Sequence, residues 1–376
     1  MANKKTQPRG KPAARGARKT GTARKAASSK RPAGADPVRG DAALRRELLH
    51  SMLLQRRFEE RCAEAYALGK IGGFCHLYIG QEAVSTGTLS MLRPDDYVMT
   101  TYRDHGIGLV RGVEPRGMMA ELFGRADGVA RGKGGSMHIF DRERNFLGGH
   151  GIVGAHVPLA TGVGFAIKYR GGDQVCICFM GESVVNTGAF HEALNMAALW
   201  RLPMIYVIEN NRYGMGTALE RASSIVNISE RAASYDMARA AVDGQDVFAV
   251  RAATLEAVKR AREEQRPTLL EIRTYRYMGH SMSDAVSGTY RTKAELEEYL
   301  KRDPITMLRS AMEKAGEIDD AAVAKMDEEI KAVVQDAWDF ADQSPEPPLE
   351  SLYEDVMVDT TSDSLDMSNE SEEANV

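Results

Sequence analysis

Two polar clusters about thirty residues apart carry the clearest chemical potential in this chain. Glu182 and Asn186 follow the apolar run 175–179, and Glu209, Asn210 and Asn211 follow the apolar run 204–208. Carboxylates and carboxamides are hard oxygen donors of the kind that hold magnesium, which commonly bridges to phosphate groups. The chemistry implied is cation-assisted binding of a phosphorylated ligand.

The elements around these side chains must bring them together. VCICF (175–179) and MIYVI (204–208) are apolar runs of the kind buried on both faces of a parallel sheet. Between them Ala189, Ala193, Met196, Ala197 and Trp200 recur at helical spacing, and Pro203 closes the helix. A strand–helix–strand unit brings both strand ends to one edge of the sheet, where open α/β sheets bind ligands. The expected fold class is α/β, a mainly parallel sheet with helices on both faces.

The chain has 376 residues, 43% of them hydrophobic, which suffices for one large α/β domain or two smaller ones. No apolar run approaches the length of a membrane span. Cys62, Cys75, Cys176 and Cys178 lack the paired spacing of a zinc site and read as buried or free thiols of a reducing compartment. The net charge of −4 is unevenly spread. Residues 1–39 carry twelve Lys or Arg against one acid, a net +11, which leaves −15 on the remainder. Residues 359–376 carry six acids and no base. This divides the chain into a disordered basic arm (1–38), a folded domain (39–358) and an acidic disordered tail (359–376). The arm lacks the apolar core of a secretory signal, and with no Leu, Ile or Phe before position 44 it lacks the apolar face of a mitochondrial transit peptide. A cytoplasmic location is expected.

Other stretches add candidates. A helix is expected over 41–68 and another over 81–91, with His76 on the break between them. A strand over 97–100 ends near Tyr102 and Arg103, and an arginine after a strand suits bidentate phosphate binding. The stretch 124–135 is Gly-rich and basic, yet GKGGS lacks the full phosphate-loop register. It reads as a phosphate cradle or as a connection packed on a partner, with His138 structural. NFLGGHGIVG (145–154) reads as a Gly-rich bend before a helix over 159–169. Further on, helix is expected over 254–264, strand over 268–273, helix from 294 through Ala311, and helix over 319–343.

Gly181-Glu182-Ser183, followed by Asn210-Asn211, resembles the thiamin diphosphate fingerprint, whose usual Gly-Asp-Gly stands here as Gly-Glu-Ser. FCHLYIGQEA (74–83), TYRDHG (101–106), GRADGVARGKGGSMHIF (124–140), GGHGIVGAHVPLATG (148–162) and TYRYMGHSMSD (274–284) follow in order. Over roughly 40–358 the chain resembles alpha subunits of the pyruvate-decarboxylating component of 2-oxo acid dehydrogenase complexes. The resemblance implies the three-layer thiamin diphosphate-binding fold, with thiamin diphosphate and Mg2+ as cofactors. It implies Glu182, Asn211 and the Tyr213 carbonyl as metal ligands, and Tyr102 and Arg103 as diphosphate contacts. Ser183 and Val184 would touch the cofactor, the backbone at Gly151 and Val153 would meet the aminopyrimidine, and Met215 would wedge the cofactor into its bent shape. His76 and His280 would serve catalysis, and His280 would also bind the cofactor near its diphosphate. Ser281 and Ser287 lie where related eukaryotic subunits are phosphorylated.

The implied activity is oxidative decarboxylation of pyruvate, with the acetyl group passed to a lipoyl group on a dihydrolipoyl acetyltransferase core. The implied active unit is an α2β2 heterotetramer, since the carboxylate that activates the cofactor comes from a beta subunit. Acetoin and branched-chain 2-oxo acid dehydrogenase alpha subunits share the fold. Glu182 adds a methylene where the family has Asp, which raises the alternative of a non-catalytic subunit. The basic arm alone suggests phosphate affinity, but the remainder is acidic and shows no nucleic-acid reading module.

Overall fold

The computed structural model describes residues 36–354 and 356. The expectations for the rest of the basic arm and for the acidic tail lie outside the described residues. At the near edge, the buried guanidinium of Arg251 donates to the carbonyls of Pro37 and Val38.

The helices are α1 (Ala42–Ala67), α2 (Glu82–Leu89), α3 (His105–Arg111), α4 (Pro115–Leu122), α5 (His156–Tyr169), α6 (Gly188–Leu199), α7 (Leu219–Ala222), α8 (Val247–Lys259), α9 (Lys293–Leu300), α10 (Pro304–Lys314) and α11 (Asp320–Gln343). The strands are β1 (Tyr97–Thr101), β2 (Phe146–His150), β3 (Cys176–Gly181), β4 (Met204–Asn210), β5 (Tyr213–Gly214), β6 (Thr217–Ala218), β7 (Ala238–Asp243) and β8 (Thr268–Arg273). Six strands form one parallel sheet in the order β2-β1-β3-β4-β8-β7, and β5 and β6 form a small antiparallel ribbon.

Side chains of the central strands alternate between two cores, as the pleat requires. Ile177, Phe179, Ile205 and Val207 join a core built with α1, α2, α8, α10 and α11. Cys176, Cys178, Met180, Met204, Tyr206 and Ile208 join a second core built with α5 and α6. The chain is thus three-layered α/β, as expected. Every residue of β4 is buried, which accounts for its unbroken apolar text. Truncating Phe179 to Ala would cost about 3–5 kcal/mol. The four cysteines are buried and free.

Several local expectations are corrected. NFLGGHGIVG is more than a bend: Phe146–His150 is strand β2, paired with β1. A Cβ on Gly149 would lie 1.9 Å from Asp104 Oδ2, so only glycine lets β2 approach the start of α3. The helix expected from 254 begins earlier, at Val247, where Asp246 accepts from the amides of Phe248 and Ala249. The helix expected from 294 through 311 is two helices. Asp303 caps α10 and Pro304 takes its first position, where a missing N–H costs nothing.

The Gly-rich loop 124–135 is not a phosphate cradle in this chain. The fully buried Glu121 carboxylate accepts from the amides of Ala130, Gly132, Gly134 and Gly135. The concavity of backbone N–H groups that could hold an anion already holds an internal one.

Candidate active site

The parallel register aligns Gly181 of β3 with Glu209 of β4. Glu182 and Asn211 therefore leave neighbouring strands at one carboxyl edge, where the first polar clusters were expected to meet. They line a cavity of about 500 Å³. The same cavity is lined by His76, Tyr102, Arg103, Gly151, Val153, Ser183, Val184, Tyr213, Met215 and His280, so the residues expected to hold metal and cofactor or to serve catalysis border one space, while Ser281 and Ser287 do not line it.

Glu182 opens a short 3-10 turn directly after β3 and is 2% exposed. Burial pushes its carboxyl above the usual range, opposed by its own main-chain amide, by Arg276 and by the main-chain amide of Asn211. Asn211 is buried, and its Oδ1 has no hydrogen-bond partner. A buried acceptor without a partner costs about 1–3 kcal/mol unless something occupies it. A bound cation beside the Glu182 carboxylate would do so.

Arg212 and Met215 hold left-handed backbone, with φ of 75° and 52°, around the β5–β6 turn. Non-glycine residues in that region carry strain that clusters at ligand sites. Met215 is left largely exposed. A Cβ on Gly214 would lie 1.9 Å from Ser183 Oγ, so any larger residue there would displace the Ser183 hydroxyl where the ribbon crosses the turn after β3.

Arg103 and Arg276 are two buried cations that line the cavity. Arg103 is 5% exposed, and its two Nη atoms donate to the main-chain carbonyls of Leu77 and His280. It fixes the histidine-bearing segments around the cavity. Arg276, which the sequence reading passed over, is fully buried. It donates from Nη2 to the carbonyls of Tyr213 at 3.2 Å and Met215 at 2.7 Å, and from Nη1 to the Tyr290 hydroxyl at 2.9 Å. Its Nε has no partner and is buried beside the same cavity. Its position three residues after β8, on the same sheet edge, was the signal available in the sequence.

His76, Tyr102 and His280 form an aromatic cluster. The ring centroid of His76 lies 4.4 Å from Tyr102 and 5.0 Å from His280. Burial first, and Arg103 second, push His76 down to about 2 and His280 down to about 4. Both imidazoles are neutral near pH 7, suited to donating to or accepting from a ligand rather than carrying charge. His76 Nδ1 is buried without a partner. His138 instead binds the Gly149 carbonyl through Nδ1 at 2.9 Å, a structural role.

Behind the cavity His105 is held at both ring nitrogens. Nδ1 lies 3.0 Å from Glu59 Oε2, and Nε2 lies 2.9 Å from both the carbonyl and the hydroxyl of Ser136. Burial opposes its charge, but Glu59 and then Asp104 outweigh it and raise it to about 9. Glu59, Cys62 and His105 lie close enough to suggest a metal cluster, yet an imidazolium with both N–H groups engaged has no lone pair to give.

A parallel α/β sheet, a cavity at its carboxyl edge and three buried polar atoms without partners define a ligand-binding site of the open α/β-sheet class. A family profile described as "Dehydrogenase E1 component" matches residues 50–350. The chain is 49% identical over 308 residues to "Pyruvate dehydrogenase E1 component subunit alpha" of Rhizobium meliloti, covering 82% of this chain and 88% of that one. It is 48% identical over 314 residues to the protein of that name from Zymomonas mobilis, covering 83% and 88%. It is 44% identical over 322 residues to "Pyruvate dehydrogenase E1 component subunit alpha-3, chloroplastic" of Oryza sativa, covering 83% and 75%. The chain belongs to the dehydrogenase E1 component family. Membership implies dependence on thiamin diphosphate and assembly with a beta subunit and an acyltransferase core. Among the described residues no helix is long and apolar enough to cross a membrane.

Proposed function

We propose that this chain is the alpha subunit of a pyruvate dehydrogenase (acetyl-transferring), acting with a beta subunit as an α2β2 unit in the cytoplasm. The carrying observation is the unpartnered Asn211 Oδ1 beside the buried Glu182 carboxylate in one cavity. Glu182, Asn211 Oδ1 and the Tyr213 carbonyl would hold Mg2+, which takes oxygen ligands at about 2.0–2.1 Å. The Tyr213 carbonyl already accepts from Arg276, but a carbonyl has a second lone pair.

Thiamin diphosphate supplies the carbanion chemistry of 2-oxo acid decarboxylation when bound. The chain's own residues bind, orient and dehydrate it. Arg276 Nε and Tyr102 would meet the diphosphate, with Arg103 bracing His280 behind it. Ser183 and Val184 line the same cavity and would touch the cofactor, and the backbone of Gly151 and Val153 would meet its ring end. Met215 would press the cofactor into its bent shape, and its strained backbone holds that side chain in place. His76 and His280 would bind the substrate carboxylate and move a proton at the cavity mouth.

The beta partner is supported by an uncovered apolar face. Leu159, Phe165, Tyr169, Leu199 and Trp200 on and beside α5 and α6 are exposed. Phe165 stacks on Tyr169 and packs on Trp200. Surfaces of this kind are buried in obligate assemblies. Co-purification with a beta subunit, followed by assay with pyruvate, acetoin and branched-chain 2-oxo acids, tests the reading. Preference for either alternative substrate would reassign the chain within its family. A complex that assembles but turns over none of them would make it a non-catalytic subunit.

A further inference from the structure

A carboxamide has one face that accepts and one that donates, and only the accepting face can coordinate a cation. What fixes the face presented by Asn211 lies in three buried residues. The Tyr78 hydroxyl donates to Glu209 Oε1. Gln81 Nε2 lies 3.4 Å from the same oxygen. Gln81 Oε1 in turn accepts from Asn211 Nδ2 at 3.0 Å. Tyr78 and Gln81 are fully buried, and Glu209 is nearly so.

This chain of bonds has a direction. The Glu209 oxygen draws the amino end of Gln81 toward itself. The oxygen of Gln81 is thereby turned to Asn211, and that oxygen selects the amino end of Asn211. The remaining end of Asn211 is Oδ1, the buried atom without a partner. Reversing the Asn211 amide would set two oxygens against each other at Gln81, a loss comparable to an unmade buried hydrogen bond.

We infer that Gln81 is a positioning residue for the cation site. It holds the Asn211 carboxamide with its oxygen presented and its nitrogen withheld, under the orientation set by Glu209. The inference rests on the proposed reading of Glu182 and Asn211 as metal ligands. It goes beyond that reading by assigning a role to the glutamine of the IGQEA stretch, which borders the same cavity. Outer partners that orient a ligand typically contribute 10–100-fold to metal affinity.

The test is a Mn2+ titration of the full-length chain assembled with its beta subunit, in the presence of thiamin diphosphate. Free Mn2+ is read by electron paramagnetic resonance, so activity is not the readout. Gln81→Met keeps the length of the side chain and removes the acceptor, and it should weaken Mn2+ binding about 10–100-fold. In an Asn211→Asp background both ends of the ligand are oxygen, so adding Gln81→Met should change affinity by less than about threefold. Equal weakening in both backgrounds would overturn the inference, because Gln81 would then act through packing and not through the amide. Unchanged Mn2+ affinity in Gln81→Met, with strong loss in Asn211→Ala, would also overturn it while leaving the ligand reading intact. Unchanged affinity in Asn211→Ala would overturn the ligand reading and the inference together. Should Gln81→Met fail to assemble, Gln81→Leu takes its place in both backgrounds, with the same expected and overturning results.

Discussion

Gly181 of β3 lies in register with Glu209 of β4, so the residues that follow each of them emerge side by side at one sheet edge. This single alignment places the Glu182 carboxylate and the Asn211 amide beside one cavity. The proposed cation site follows from it.

Replacing Glu182 tests the departure from the usual Asp. Glu182→Ala should raise the Mg2+ requirement for thiamin diphosphate binding by more than the roughly 10–100-fold that loss of an outer partner costs. The metal-free chain should keep its melting temperature, because removing a buried carboxylate relieves a desolvation cost. Glu182→Asp should bind less tightly if the site has adjusted to the longer side chain. A Mg2+ titration in which both variants match the parent would remove Glu182 from the ligand set.

Arg276 should be needed for cofactor affinity. Arg276→Met releases the carbonyls of Tyr213 and Met215 and removes the unpartnered Nε. A loss of about 2 kcal/mol, near 30-fold in thiamin diphosphate affinity, is expected by calorimetry. Arg276→Lys should not restore it, since an ammonium cannot reproduce the fork. Parent-like affinity in Arg276→Lys would reduce the role to charge alone.

Stability should fall as pH rises from about 6.5 to about 9. His105 stands at about 9 in the folded chain against an ordinary 6.5, so its contribution is full below about pH 6.5 and is lost through pH 9. Asp104, raised to about 7 mainly by burial, works in the same direction at lower pH, because the folded state holds its proton longer. The melting temperature should drop between pH 6.5 and 9, and the drop should shrink in His105→Gln. An equal drop in both would place the titrating group elsewhere.

Glu121 should govern the Gly-rich loop. Glu121→Gln sets an amino group against backbone amides that now find an acceptor. A destabilisation of about 3 kcal/mol in urea unfolding is expected, with faster proteolysis within 124–135. A change below about 0.5 kcal/mol would show that the loop is held by other contacts.

The central β3–α6–β4 unit was legible because a strand buried on both faces must be written in continuous apolar residues. Strand β2 was not, because its Gly148-Gly149 pair answers to the nearby Phe140 ring and Asp104 and not to strand propensity. Strand β7, ARAAVD, is only partly buried and lacks the apolar density that marks an inner strand. The break before α10 was written in Asp303-Pro304, a cap followed by a first-turn proline, and was passed over because apolar spacing runs on through it. Glu182 and Asn211 stood out as oxygen donors at two neighbouring strand ends, whereas the Tyr213 carbonyl and the cofactor contacts came from the family resemblance. Arg276, Gln81 and Glu121 were hidden, since each acts by reaching main chain or an amide distant in sequence. Local text carries no sign of such partners.

On the proposed function, this chain completes a pyruvate-decarboxylating site only with its beta subunit. The direct measurement is reductive acetylation of a lipoyl domain by the reconstituted pair, supplied with pyruvate, thiamin diphosphate and Mg2+, beside each subunit alone. Acetylation by the pair, loss of it in Asn211→Ala, and none from this chain by itself are the expected results. Acetylation by this chain alone, or a well-assembled pair that leaves the lipoyl domain unmodified, would contradict the proposed function.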